Sequence, residues 1–191
     1  MKSAWLKGVV LLASICLSCS MLHAQEVVHA LTGVLTSIDP GSSTITVKTN
    51  DGSEGVFLYK KKLNTSLEFD KSVRSAAKEP SAFKKTGDHV IVYFFGDGSR
   101  RTVVALKDLG TVPLDVSSGT IVDARDRHSL AIKTQKGARE IYKIADHATV
   151  DTSQGIVSGD KFDPDTKKGF NVTVRYATAG GTKVARFISA G

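Results

Sequence analysis

The residues able to do chemistry are few and scattered. Beyond position 25 the histidines are His29, His89, His128 and His147. None stands in a His-x-x-His, Cys-x-x-Cys or His-Glu-x-x-His arrangement, so the sequence draws neither a zinc site nor a metalloprotease helix. The nearest constellation is Asp123, Asp126 and His128 within one turn, which reads as a solvated hairpin. The run Asp163-Pro164-Asp165-Thr166-Lys167-Lys168-Gly169 resembles an oxygen-ligand calcium loop, yet two lysines stand where ligands belong. There is no Gly-x-Ser-x-Gly elbow, no Ser-x-x-Lys, no phosphate-cradling loop and no dinucleotide fingerprint. No catalytic residue, metal ligand or cofactor is therefore assigned, and an enzyme is not expected.

Two features remain as binding candidates. The first is a set of basic clusters: Lys60-Lys61-Lys62, Lys84-Lys85, Arg100-Arg101 and Lys167-Lys168. Converging, they would form an anion-binding rim; dispersed, they merely keep sheet edges soluble. The second is a stripe on the segment 88–95. With Val90, Val92 and Phe94 facing a core, the opposite face carries His89, Ile91, Tyr93 and Phe95. Such a row needs a cover, either another part of the chain or a ligand stacked on it. Ile91, Tyr93, Phe95, Lys60, Lys61, Lys62, Arg100 and Arg101 are the binding residues this reading selects.

The elements that must position them are written twice. STITVKTNDG (43–52) matches SLAIKTQKG (129–137), and TGDHVIVYFFGDGS (86–99) matches KGFNVTVRYATAGG (168–181). TVVALKDLG (102–110) likewise matches KVARFISAG (183–191), and Gly33 matches Gly119. Within each copy apolar residues recur with period two, bounded by turn signals such as Asp39-Pro40-Gly41 and Asn50-Asp51-Gly52. Strands are expected near 30–38, 43–49, 54–60, 88–95 and 101–107, then near 117–124, 129–134, 138–144, 170–177 and 182–189. A long stretch separates the third and fourth strand of each copy, 61–87 and 145–169, and a short helix is expected over 70–78, ended by Pro80. Five strands with an insertion after the third is the layout of an OB-like barrel, with an SH3-like barrel as its competitor. The fold class is thus all-β, two tandem five-stranded barrels over 25–110 and 111–191, joined through 110–116.

Residues 1–24 have the three parts of a secretory signal. Lys2 and Lys7 precede the uncharged run from Gly8 to Cys19, and cleavage is placed between Ala24 and Gln25. The apolar run is too short to span a bilayer, so no transmembrane span is expected in the mature chain. Lipidation at Cys19 is disfavoured by the spacing of Leu17. Removing the signal removes every Cys, Met and Trp, and lowers the net charge from +7 to +5. A mature chain without disulfides depends on its core.

Gly33-Val34, Gly119-Thr120-Ile121, the strands ITVKT (45–49) and AIKT (131–134), and Gly87-Asp88-His89-Val90-Ile91-Val92 together resemble a bacterial family of exported small β-barrel domains of unknown function. Copy two departs from it, with Gly169-Phe170-Asn171 in place of Gly-Asp. The resemblance implies a fold and a periplasmic or secreted location, but no activity. The expectation is a non-catalytic binding or scaffold module of the cell envelope. Its partners would be an anionic polysaccharide, lipid headgroups or another envelope protein, and export argues against nucleic acid. The alternative is a small hydrolase or an accessory subunit acting on cell-wall polysaccharide.

Overall fold

A computed structural model describes residues 25–60, 66–123 and 128–191. The signal segment 1–24 with Ala24, the pair Lys61 and Lys62, and Asp126 lie outside the described residues. The first copy comprises β1 (Glu26–Val27), β2 (His29–Asp39), β3 (Thr44–Thr49), β4 (Glu54–Tyr59), β5 (Leu67–Glu68), α1 (Lys71–Ser75), β6 (His89–Phe95) and β7 (Thr102–Gly110). The second comprises β8 (Asp115–Asp123), β9 (Ser129–Thr134), β10 (Arg139–Thr152), β11 (Gly155–Ser158), β12 (Asn171–Ala179) and β13 (Thr182–Ala190).

Period-two alternation makes these strands amphipathic, and each set closes to bury its apolar face. The first barrel runs β2-β3-β4-β7-β6 and returns to β2. The second runs β8-β9-β10-β13-β12, closed by β10–β9 and β12–β8 pairing, with β11 added outside on β10. Numbered within each copy, both orders are 1-2-3-5-4, and in both only the third and fifth barrel strands pair in parallel. That is the OB-like order rather than an SH3-like one. Register repeats as well: Gly33 opposes Thr49 and Val90, while Gly119 opposes Thr134 and Val172. Leu58 opposes Thr102 as Lys143 opposes Val184.

The recurring glycine has a steric cause. A Cβ on Gly33 would lie 2.5 Å from the Lys48 carbonyl oxygen, and one on Gly119 would lie 2.4 Å from that of Lys133. The first strand of each barrel therefore crosses the second too closely for any side chain.

Separate clusters fill the two interiors. Leu35, Ile45, Val47, Phe57, Val90, Val92, Val103 and Leu106 fill the first. The second is built around Ile121, Leu130, Ile132, Tyr142, Val172, Val174 and Ile188.

The insertions differ from expectation. The helix is only Lys71–Ser75, capped by Asp70, and Pro80 opens a 3-10 turn rather than ending the helix. In copy two the third strand continues to Thr152 through a bulge between Ile144 and Thr149, then turns back into β11 at Gly155, whose φ is +102°. The bulge breaks the period-two pattern, which hides the continuation from a periodicity reading.

A third cluster lies between the barrels. Val28, Ala30, Ile91, Tyr93 and Ala105 of the first barrel and Val73 of α1 pack with Ile156 and Phe187 of the second. Polar ties surround it: Tyr93 Oη to Thr149 Oγ1 at 2.7 Å, His29 Nδ1 to Asp151 Oδ1 at 3.1 Å, and Lys107 Nζ donating to the His147 carbonyl at 2.5 Å. With its amide turned to satisfy its neighbours, the Asn50 side-chain oxygen accepts from Arg175 Nη2 at 2.7 Å. Lys161 Nζ reaches Asp70 Oδ2 at 2.8 Å. Burial opposes ionisation of Asp70, but Lys161 and the capped N–H groups of Val73 and Ser72 hold its carboxyl below the usual range. With the linker reduced to residues 111–114, the barrels are fastened along a shared face.

Candidate functional site

Each barrel mouth carries the same three-part plug. In the first, Phe57 of β4 and Phe94 of β6 have ring centroids 5.5 Å apart, and the Arg101 guanidinium lies 4.6 Å over Phe57 and 5.8 Å over Phe94. In the second, Tyr142 of β10 and Tyr176 of β12 are 5.0 Å apart, with Lys183 Nζ 5.5 Å from one and 4.9 Å from the other. The cation covers an aromatic pair that would otherwise meet water.

The second plug is more polar because Glu140 stands where the first barrel has Gly55, at which a Cβ would come within 2.9 Å of the Phe57 ring. One Glu140 oxygen accepts from Ser117 Oγ at 2.5 Å and from the Tyr142 hydroxyl; the other accepts from Lys183 Nζ at 3.0 Å. The Ser117 and Tyr142 hydroxyls, helped by Lys183, hold the Glu140 carboxyl down to about 2. These hydrogen bonds join Ser117 of β8, Glu140 and Tyr142 of β10 and Lys183 of β13 into a polar seal beside the aromatic pair.

The basic side chains of the insertion do converge. β4 and β7 pair at only two positions, and the insertion covers the rest of that seam. Lys78 joins the edge of β7 there, exchanging two 2.8 Å hydrogen bonds with Leu106. Two depressions meet at Lys78. The first, about 400 Å³, has half-buried Tyr59, Phe69 and Val104 in its lining and Lys60, Arg74 and Lys78 among its polar groups. The second, about 230 Å³, is bordered by Lys78, Lys84, Lys85, Asp88 and Asp108. Lys60, Arg74, Lys78, Lys84 and Lys85 are all exposed, and among the described residues none of the five makes an ion pair. Three carboxylates, Glu79, Asp88 and Asp108, share this surface with them. The result is a track along the first barrel on which cations outnumber carboxylates.

The other selected residues are placed elsewhere. Ile91 and Tyr93 are fully buried between the barrels, so no ligand can stack on them. Their stripe is covered by Phe69, whose ring centroid is 5.3 Å from that of Tyr93, by Val73, and by the second barrel. Phe95 is half-buried at the end of β6. Arg101 is committed to its plug, and exposed Arg100 lies at the β6–β7 hairpin outside the track. Of the Lys60 cluster, Lys60 borders the track. Lys168 pairs with Asp165 at 3.3 Å, while Lys167 lies 5.2 Å over Phe170. Asp123 is taken up by Arg139 at 3.2 Å, which leaves its hairpin a surface ion pair. Arg74 and Lys78 escaped the sequence reading because they stand singly rather than in a basic run.

Fold and surface together define a tandem OB-like barrel protein with a cationic track on its first barrel. No family model matches the chain, and no curated protein matches it. Among solved structures it is similar to "drosophila Unr CSD456", at 14% identity and a TM-score of 0.32 over 86% of this chain. The match spans 61% of that chain's length. Strand order and register by themselves make both barrels OB-like.

Proposed function

We propose that this chain is a non-catalytic binding module of the bacterial cell envelope, exported by residues 1–24, and that its track binds an acidic polysaccharide. The observation that carries this reading is the convergence of five exposed cations without ion-pair partners. Unpaired surface charge gives modest, salt-sensitive attraction, which suits many weak contacts along a polymer. Among the described residues the large exposed apolar side chains include one aromatic, Phe170, and it lies outside the track. The aromatics in the track's lining, Tyr59 and Phe69, are half-buried, which leaves little ring face for the base stacking that single-stranded nucleic-acid binding relies on.

Titration of the mature chain with soluble polygalacturonate, followed by calorimetry, tests the proposal. Binding should weaken as salt rises. The variant with Lys78, Lys84 and Lys85 all changed to Ala should lose about tenfold, since each exposed contact contributes roughly 0.5 kcal/mol. Equal binding of neutral dextran, or affinity indifferent to salt, would refute it.

A further inference from the structure

A second cationic depression lies where the barrels meet the linker. It measures about 300 Å³ and is lined by Lys107 from β7 and Arg186 from β13, with Leu109, Val112, Pro113 and Leu114 forming apolar walls. Val112 is 73% exposed, a large apolar side chain left in water beside two cations. Lys107 is half-buried and its amine donates to the His147 carbonyl, while Arg186 is exposed. Among the described residues neither makes an ion pair. Burial first, and Arg186 second, push the Lys107 amine below its usual range. Two like charges held together beside apolar surface form a costly arrangement that an anion would relieve. The acid in the lining, Asp108, turns its Oδ1 onto the backbone N–H of Gly110 at 2.7 Å. Asp108 also borders the track, so a carboxylate stands between the two surfaces.

We infer that this inter-barrel cleft is a separate site for a small amphiphilic anion, with Lys107 and Arg186 holding a carboxylate or phosphate and the linker walls holding a short alkyl chain. Its volume is at the lower end of ligand pockets, enough for a medium chain but not for a polymer. The cleft is built from one cation of each copy plus the joint. Strand register shifts the match of the last strands by one place from the sequence match: Lys107 opposes Ile91 as Ser189 opposes Thr173, and Arg186 takes the bulge position of Val104. Neither barrel alone carries the pair.

Calorimetric titration of the mature chain with octanoate and with octyl phosphate, below their micelle concentrations, tests the inference. Saturable 1:1 binding of either supports it, and the preferred one names the anion. Arg186→Gln should weaken binding at least fivefold and Val112→Ser about threefold, whereas Lys84→Ala should leave it unchanged. Lys107→Gln should also weaken it; if that variant unfolds through loss of the His147 tie, the exposed Arg186 decides. Binding of neither anion, equal binding of neutral octyl glucoside, or Arg186→Gln affinity within twofold of the parent overturns it.

Discussion

The barrels should be coupled through one buried hydrogen bond, that between Tyr93 Oη and Thr149 Oγ1. The two residues are 56 positions apart, one on each barrel, and both are fully buried. Tyr93→Phe removes one hydroxyl and leaves the other buried without a partner, a cost of about 1–3 kcal/mol. Thr149→Val does the same from the other side. The double variant removes both polar groups with little change of shape, so its cost should fall near that of either single change or below it. The cycle should then report a coupling of about 1–3 kcal/mol, well above the roughly 0.3–0.5 kcal/mol seen between independent sites. Urea unfolding followed by far-UV circular dichroism measures all four corners, since the mature chain has no tryptophan to report fluorescence. Single-variant losses that simply add in the double variant would show that the barrels do not meet through this pair.

Two further outcomes are expected. Gly33→Ala and Gly119→Ala should each destabilise by about 1–3 kcal/mol or abolish folding, because each new Cβ meets a neighbouring backbone carbonyl at 2.4–2.5 Å; thermal melts within 1 °C of the parent would refute the close crossing. Glu140 ionises at about 2 in the folded chain, below its unfolded value, so the stability it contributes is complete above the ordinary glutamate range and drains away as pH falls towards 2. Melting temperature followed from pH 6 to pH 2 should therefore drop less steeply in Glu140→Gln, and an unchanged slope would remove the carboxylate from the seal.

Much of the barrel was legible because strands announce themselves locally. Ile45 and Val47, or Leu130 and Ile132, alternate with polar neighbours whatever lies around them, and both copies spell the same turns. The continuation of β10 past Ile144 was not legible, since a bulge shifts the alternation by residues that carry no signal of their own. The candidate track was half legible: Lys84-Lys85 and Lys60 were visible as basic runs, while Arg74 and Lys78 joined them only when the insertion folded along the β7 seam.

By itself the amino-acid order determined the duplication, the approximate place of the ten barrel strands and the five-stranded layout of each copy, because period-two patterning and tight turns act over a few residues. It also marked Ile91 and Tyr93 as a stripe that needs a cover. Which surface covers them was decided by tertiary structure alone. Ile156 and Phe187 are more than 60 residues distant, and alternation divides a strand into two faces without saying what lies against either. The same holds for Lys107 and Arg186: nothing local relates them, and only the docking of one barrel on the other sets two unpaired cations in one cleft.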